Sequence, residues 1–237
     1  MFIHNNVHSS WEDFLTTEII EEIDLIESKV GKELNPTKPE MVLRFLSVDL
    51  NKIKIIWLGQ DVYPSKGVAT GRAFEVGDLA SWNEPFRQSS LKNIVRLIHK
   101  EYNNINEYRD IKKYSEIKEE IVRGTFKMKS PANWFQSLED QGVLFLNTSF
   151  TCKIGEPNSH KDLWEPFSKK VLEFISSKKP DAIWFLWGKE AKSNKVHLTN
   201  GSIYESRHPS RVSESYQDDF LRFEGFRKTM DEVNWLG

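Results

Sequence analysis

Apolar residues along the chain form three short continuous runs between longer stretches of helical spacing. The runs are Ile53 to Leu58, interrupted only by Lys54, then Val143 to Leu146, and Ala182 to Trp187. Short apolar runs that end at glycine or a polar residue are typical of strands buried on both faces of a parallel sheet. The pattern therefore predicts an α/β protein.

Apolar residues at helical spacing precede the first run. We predict a helix over residues 11–33, capped by Ser9 or Ser10, and a second short helix over residues 41–50. Residues 102–129 are strongly charged and predict a solvated helix and loop without chemistry.

Composition sets the scale of the fold. The chain has 237 residues, of which 38% are hydrophobic, enough for one large core, so a single α/β domain over residues 1–237 is expected and two small domains are the alternative. Residues 1–50 form its helical amino-terminal part. Eight tryptophans suit either a thick core or base-stacking surfaces.

Charge and cysteine content limit the partners and the compartment. The formal net charge is −2, so any nucleic-acid contact requires a local basic patch. Cys152 is the only cysteine, which excludes an internal disulfide and fits a reducing, cytoplasmic location. Neither an export signal nor an apolar segment of about 18 residues is seen, so no membrane partner is expected.

Several polar residues follow predicted strands at the edge where open α/β sheets bind ligands. Asp61 either closes a turn or acts as a catalytic carboxylate beside an aromatic wall of Tyr63 and Phe74, the latter on a short extended piece. Asn147 at a strand end is usually a turn residue, and His208 is usually a surface or packing residue. The residues alone leave both interpretations open.

Five motifs, in order between about Lys54 and Trp235, resemble those of family 1 uracil-DNA glycosylases. An ordered set is far more specific than one match. The motifs are GQDVYP (59–64) with TGRAF (70–74), resembling the family's GQDPYH loop and its downstream Phe; Pro85 with Ser90 and Leu91, resembling a proline-rich loop that ends in Ser-Leu; QGVLFLN (141–147), resembling QGVLLLN; LWG (186–188); and HPSRVS (208–213), resembling HPSPLS.

The resemblance implies a fold and an activity. The fold would be a central four-stranded parallel sheet flanked by helices on both sides, with the site at the carboxyl ends of the strands. The activity would be removal of uracil from single- or double-stranded DNA, by hydrolysis of the N-glycosidic bond, to begin base excision repair. No metal or cofactor is implied. The protein would be a monomer, and DNA-mimicking inhibitor proteins would be potential partners.

The resemblance also implies residue roles. Asp61 would orient the attacking water and stabilise the sugar cation, and His208 would donate a hydrogen bond to uracil O2. The residues that would hold the base are Gln60 through its backbone, Phe74 by stacking, Asn147 by paired hydrogen bonds to the uracil edge, and Tyr63 by crowding C5 against thymine. The residues that would contact DNA are Ser89, Ser90, Lys189, Ser210, Arg211, Val212 and Ser213.

Some positions depart from the family pattern. Val62 replaces a proline, Pro64 replaces a histidine near the sugar, and Lys189 replaces a phosphate-binding serine. Val212 replaces the leucine that fills the hole left by the extruded base, and Arg211 could compensate through a phosphate or the groove. Slower uracil removal is the expected consequence.

Two other functions compete. One is a DNA-binding or processivity subunit that keeps the fold with weak catalysis, but binding alone requires neither Asp61 nor His208. The other is a glycosylase for a different damaged base, which changes at Tyr63 or Asn147 would have indicated. Ser159 and His160 are expected to support the pocket, although His160 could simply cap its loop.

Overall fold

The computed structural model describes residues 1–237 and contains six strands and seven α-helices. The strands are β1 (Leu34–Asn35), β2 (Ile55–Gly59), β3 (Val143–Asn147), β4 (Cys152–Lys153), β5 (Ile183–Trp187) and β6 (Ser202–Ser206). The helices are α1 (Thr17–Val30), α2 (Ser89–Tyr102), α3 (Tyr114–Arg123), α4 (Pro131–Asp140), α5 (Lys161–Lys178), α6 (Lys189–Ser193) and α7 (Gly225–Lys228).

The main sheet has four parallel strands in the order β3, β2, β5, β6, and β1 pairs with β4 in a separate antiparallel ribbon. Successive β2 side chains point to opposite faces of the sheet. Trp57 therefore enters the core that α2 and α4 cover, and Leu58 enters the core that α1 and α5 cover. The predicted four-stranded parallel sheet with helices on both faces is confirmed. None of the helices combines the length and apolar character needed to cross a bilayer.

All eight tryptophans are buried, so they fill the core and do not form base-stacking surfaces. Trp57 lies at the centre of one aromatic cluster, stacked on Trp235 at 5.6 Å between ring centroids and 5.0 Å from Trp187. Aromatic pairs at these distances add stability beyond the area that they bury. Trp187 is the last residue of β5, so this cluster reaches the carboxyl edge of the sheet.

The predicted amino-terminal helix begins too early. Residues Ser9–Trp11 form a single 3-10 turn, and α1 starts only after Thr16, whose hydroxyl accepts a hydrogen bond from the Ile19 amide. The expected cap Ser10 instead accepts a hydrogen bond from the Leu50 amide, 2.9 Å away. The Ser10 hydroxyl, which the local sequence predicts to cap a helix, is thus used in a contact with a distant part of the chain.

The helix predicted over residues 41–50 is also wrong. Short 3-10 turns, Pro39–Met41, Arg44–Ser47 and Leu50–Lys52, occur here in place of an α-helix. The charged stretch at residues 102–129 does contain a helix, α3, but it is not merely solvated. Ile117 and Phe126 are buried in the core on the Trp57 face of the sheet.

Candidate active site

The carboxyl ends of β2 and β3 open into a cavity of about 230 Å³. Several separate chain segments supply its polar side chains, because neighbouring parallel strands end at the same edge of a sheet. The predicted site residues that line this cavity are Gln60, Asp61, Tyr63, Phe74, Ser90, Asn147 and His208. The structure therefore brings together all residues to which the sequence assigned catalysis or base binding.

Asp61 lies two residues beyond the end of β2, in the loop that carries the GQDVYP motif. Its Oδ2 accepts a hydrogen bond of 2.5 Å from the Asn158 backbone amide, while its Oδ1 is buried without a hydrogen-bond partner in the protein. Burial raises the pKa of the Asp61 carboxyl, and the hydrogen bond from Asn158 partly opposes that rise. One oxygen of this buried carboxylate thus lacks the partner that buried acceptors normally have.

Asn147 is the last residue of β3 and lies opposite Gly59 of β2. A Cβ atom on Gly59 would overlap the Asn147 carboxamide oxygen, so glycine leaves the space that the amide occupies. Asn147 is 4% exposed as a whole residue, and its carboxamide makes no hydrogen bond within the chain. A buried amide without an internal partner differs from a turn residue, whose side chain bonds to nearby backbone.

His208 lies across the cavity, in the loop after β6. Its Nδ1 accepts a hydrogen bond from the Ser210 amide at 3.2 Å and lies 2.8 Å from the Ser210 hydroxyl. Because Nδ1 accepts, the neutral ring carries its proton on Nε2. Burial, together with the nearby positive charge of Arg211, lowers the pKa of His208. The site therefore favours a neutral imidazole that donates from Nε2.

Phe74 adopts a left-handed backbone conformation, with φ at 67°, so the extended piece predicted there is wrong. This conformation is strained for a bulky residue and persists only where the surroundings enforce it. The Tyr63 hydroxyl donates to the Phe74 carbonyl at 3.4 Å, and the Phe74 ring lies 5.3 Å from the Trp187 ring. The ring is thereby held as one wall of the cavity.

Arg72 holds the Phe74 loop from below, a role that sequence reasoning missed. Its side chain is 5% exposed and forms paired hydrogen bonds of 2.7 and 2.8 Å with Glu139 of α4. It also lies 3.1 Å from Glu75. Nothing in the local sequence indicates the bond to Glu139, because this residue lies 67 positions away along the chain.

Asn158 was also missed as a site residue. Its amide binds Asp61, and its side-chain oxygen accepts a hydrogen bond of 2.9 Å from Gln60. Its φ is 62°, a conformation that asparagine tolerates better than most residues. The Pro157-Asn158 pair is a sequence signal for a turn, and it could have identified Asn158 as a candidate. The Gln60 side chain thus bonds to a cavity residue, whereas the sequence analysis expected a role for its backbone alone.

A second cleft of about 360 Å³ adjoins the first and shares Phe74 and His208 with it. Four basic side chains, partly offset by Glu190 and Asp218, line this cleft: Lys189, Lys192, Arg207 and Arg211. Asp218 lies 3.6 Å from Lys192 and 3.7 Å from Arg207, so Lys189 and Arg211 are the basic side chains of this cleft that form no ion pair.

The remaining predicted DNA contacts surround the two cavities. Ser89 and Ser90 are the first residues of α2, with Ser89 exposed and Ser90 lining the cavity beside Asp61. Ser210 binds the His208 ring, and the Ser213 amide donates to Asp219 at 2.7 Å. Val212 is half-buried and packs against the core on the Trp57 face of the sheet.

His160 and Ser159 lie outside the catalytic cavity. The His160 ring is buried with Nδ1 2.9 Å from the Thr151 hydroxyl, and the Ser159 hydroxyl accepts a hydrogen bond from the Lys153 amide. These contacts fix the segment that contains Asn158, as expected of supporting residues. No group of three or more His, Cys, Asp or Glu side chains is arranged to hold a metal ion.

Comparison with known proteins finds relatives that are similar over most of the chain. The chain is 31% identical to the uracil-DNA glycosylase of Francisella tularensis subsp. holarctica, with 86% of this chain and 85% of the relative covered. It is 30% identical to that of Francisella philomiragia, with 95% and 99% covered. No family model matches the chain.

Solved structures share its fold. Mimivirus uracil-DNA glycosylase superposes with a TM-score of 0.69 at 23% identity, covering 97% of this chain and 84% of that one. A mutant of the UNG from Nitratifractor salsuginis superposes with a TM-score of 0.74 at 21% identity, covering 98% and 94%.

Together, the parallel sheet, its edge cavity and these relatives define a DNA glycosylase, an enzyme that hydrolyses N-glycosyl bonds. More particularly, the chain belongs to the uracil-DNA glycosylase family.

Proposed function

We propose that this protein is a family 1 uracil-DNA glycosylase, which hydrolyses the bond between uracil and deoxyribose and leaves an abasic site in DNA. One observation carries the proposal: Asp61, Asn147 and His208, from three distant segments, line one cavity beside the Phe74 ring. An acid, an amide and an imidazole around a flat slot match the needs of base recognition and glycosidic cleavage.

Base recognition begins with extrusion, because a base cannot react inside the duplex stack. In the cavity the uracil ring stacks on Phe74, and the Asn147 carboxamide pairs with uracil O4 and N3–H. Cytosine presents an amino group and a bare nitrogen at the same two positions, so the amide rejects it. The absence of internal hydrogen bonds to this buried amide supports the assignment.

Hydrolysis then breaks the bond between uracil N1 and sugar C1′. The electron pair leaves with uracil, whose O2 gains negative charge, while the sugar gains oxocarbenium character. His208 donates from Nε2 to O2, and ionised Asp61 stabilises the sugar cation and accepts a hydrogen bond from the water that adds to C1′. As the water oxygen bonds to C1′, the proton that it loses passes to Asp61 and from there, through solvent, to the uracil anion. The unpartnered Asp61 Oδ1 and the acceptor role of His208 Nδ1 support these roles.

DNA would run across the second cleft and the start of α2. Lys189 and Arg211 lie in the cleft and would neutralise phosphates, Lys189 as a point charge in place of a hydroxyl. The other DNA contacts proposed are Ser89, Ser90, Ser210, Val212 and Ser213. A mimivirus UNG variant was solved in complex with UGI, and we propose that an inhibitor of that kind would cover the same face here.

The rate of uracil release should fall on the acid side of neutrality. The proposed mechanism needs ionised Asp61 and neutral His208. The pKa of Asp61 is raised above its usual value of about 3.9 and that of His208 is lowered below about 6.5, so both active forms disappear as pH falls. Single-turnover rates between pH 4 and 9 measure this. A rate that rises as pH falls would contradict it and indicate a protonated His208 acting as an acid.

Replacing Tyr63 with alanine should admit thymine. The Tyr63 ring lines the cavity, and its removal opens space for the C5 methyl group. Discrimination against thymine should fall by about 10- to 100-fold, the usual value of one methyl group in a pocket. Thymine release from a T·G oligonucleotide measures the change. Tyr63→Phe keeps the ring and should remain specific, and thymine release by this control would refute steric exclusion.

The function itself is tested with single- and double-stranded oligonucleotides that carry uracil, a thymine mismatch or hypoxanthine, followed by alkaline cleavage of abasic sites. We expect cutting only at uracil, in both strand contexts. Binding to all the oligonucleotides without cutting would replace the proposal by a DNA-binding subunit, and cutting at hypoxanthine alone would replace it by a different glycosylase.

A further inference from the structure

The charged stretch that follows α2 contributes nothing to the catalytic cavity, yet it contacts both loops that face the proposed DNA path. We define the segment as residues 104–129, the serine loop as residues 82–90, and the histidine loop as residues 208–219. We propose that the segment holds these two loops in their DNA-binding arrangement and thereby sets the affinity for DNA. This inference rests on the proposed function.

The segment holds the serine loop through Trp82 and Phe86. The Tyr114 hydroxyl donates to the Trp82 carbonyl at 3.0 Å, and the Trp82 indole donates to the Lys129 carbonyl at 2.6 Å. The Tyr114 ring meets the half-buried Phe86 ring edge to face at 5.4 Å between centroids. The serine loop has only Pro85 to restrict its backbone, so these contacts supply rigidity that prolines would otherwise give.

The segment holds the far end of the histidine loop through Asp219. The Tyr108 hydroxyl donates to Asp219 Oδ1 at 2.9 Å, and Asp219 Oδ2 accepts the Ser213 amide at 2.7 Å. Asp219 is 1% exposed, so its carboxylate depends on these donors and on the Leu221 amide. Loss of the Tyr108 hydroxyl would therefore loosen the carboxylate that fixes Ser213.

A third connection reaches the residue next to His208. Arg96 of α2 donates to the Lys112 carbonyl at 2.8 Å and to the Asn93 side-chain oxygen at 2.9 Å. Asn93 in turn donates to the Pro209 carbonyl at 2.7 Å. The segment, the first turns of α2 and the histidine loop are thus joined by consecutive hydrogen bonds.

This arrangement affects binding more than chemistry. A loop that is already ordered in the free protein loses less conformational entropy when it grips DNA, so affinity rises. The loops carry Ser89, Ser90 and Ser213, which are proposed DNA contacts, while Asp61 and Asn147 lie on other segments. His208 lies at the near end of the histidine loop, where Ser210 and the bond from Asn93 to Pro209 hold it without Tyr108 or Tyr114. Removing the two tyrosine hydroxyls should therefore raise KM and leave kcat nearly unchanged.

The test is the double variant Tyr108→Phe with Tyr114→Phe, which removes two hydroxyls and keeps both rings. We expect KM for a uracil-containing 20-mer to rise about tenfold, with kcat within about twofold of the wild type. Amide hydrogen exchange in residues 82–90 and 208–219 should become faster. Tyr102→Phe is the matched control, because its hydroxyl bonds to Asn234 and Trp235 and touches neither loop.

Three outcomes would overturn the inference: an unchanged KM in the double variant, a fall in kcat alone, or an equal rise in KM in Tyr102→Phe. Affinity for a 20-mer with an uncleavable abasic analogue is measured in parallel. Absence of uracil release by the wild type would refute the proposed function. Comparing the affinities of the wild type and the double variant for the abasic analogue would still decide whether the segment holds the loops.

Discussion

Replacing Asp61 with asparagine is expected to lower kcat for uracil release by about a thousandfold, because the sugar cation loses its counter-charge and the attacking water loses its acceptor. Asparagine has the same shape, and its side-chain oxygen can still accept the Asn158 amide, so the loop should keep its structure. KM should change little, since Asp61 acts on charge that develops in the transition state. Single-turnover kinetics on a uracil oligonucleotide measure the effect.

The same substitution should not destabilise the protein. The pKa of Asp61 is raised in the folded state, so the folded protein binds this proton more tightly than the unfolded chain does. Stability therefore falls as pH rises through the window between the ordinary pKa and the raised one, and at pH 7 the ionised carboxylate opposes folding. The Tm of Asp61→Asn at pH 7 should equal or exceed that of the wild type.

Glu156→Gln is the control for Asp61→Asn. It removes an exposed carboxylate from the neighbouring loop and should leave kcat unchanged. Equal kcat in the wild type and Asp61→Asn would refute the catalytic role of this carboxylate. Equal losses in the two variants would assign the effect to overall charge.

Replacing Asn147 with aspartate should lower uracil release by about 100-fold and create cytosine release. The amide donor to uracil O4 is lost, while a carboxyl group can accept from the cytosine amino group. Gly59 leaves room for a side chain of the same size, so the change is chemical and not steric. Release of each base from matched oligonucleotides measures the switch.

Asn5→Asp introduces the same change at an exposed position and should leave both activities unchanged. Unaltered uracil release by Asn147→Asp would contradict the role of the amide. Asn147→Asp could also lose uracil release without gaining cytosine release while its Tm stays that of the wild type. Asn147 would then bind uracil but would not decide between uracil and cytosine.

The buried strands could be predicted because parallel strands covered on both faces need continuous apolar runs. The runs that end at Leu58, Leu146 and Trp187 correspond to β2, β3 and β5. Strand β6 could not be read in this way, because it lies at the sheet edge and its sequence, SIYES, is mostly exposed or half-exposed. Only the resemblance to a known family indicated a fourth strand.

Local conformation was harder to predict, because distant residues decide it. Ser10 looked like a helix cap but binds the Leu50 amide, and Phe74 looked extended but is held at positive φ above the buried Arg72 and Glu139 pair. The identities of the cavity residues could be proposed from their motifs. The proton position on His208 and the place of Asn158 depend on contacts that only the folded chain reveals.

The most direct test of the whole account is a crystal structure of the Asp61→Asn variant with a uracil-containing oligonucleotide. We predict that the uracil leaves the stack and lies against Phe74, with O4 and N3 facing Asn147 and O2 within hydrogen-bond distance of His208 Nε2. A uracil bound elsewhere, for example in the cleft beside Lys189, or one that remains stacked while the cavity stays closed to it, would contradict the account.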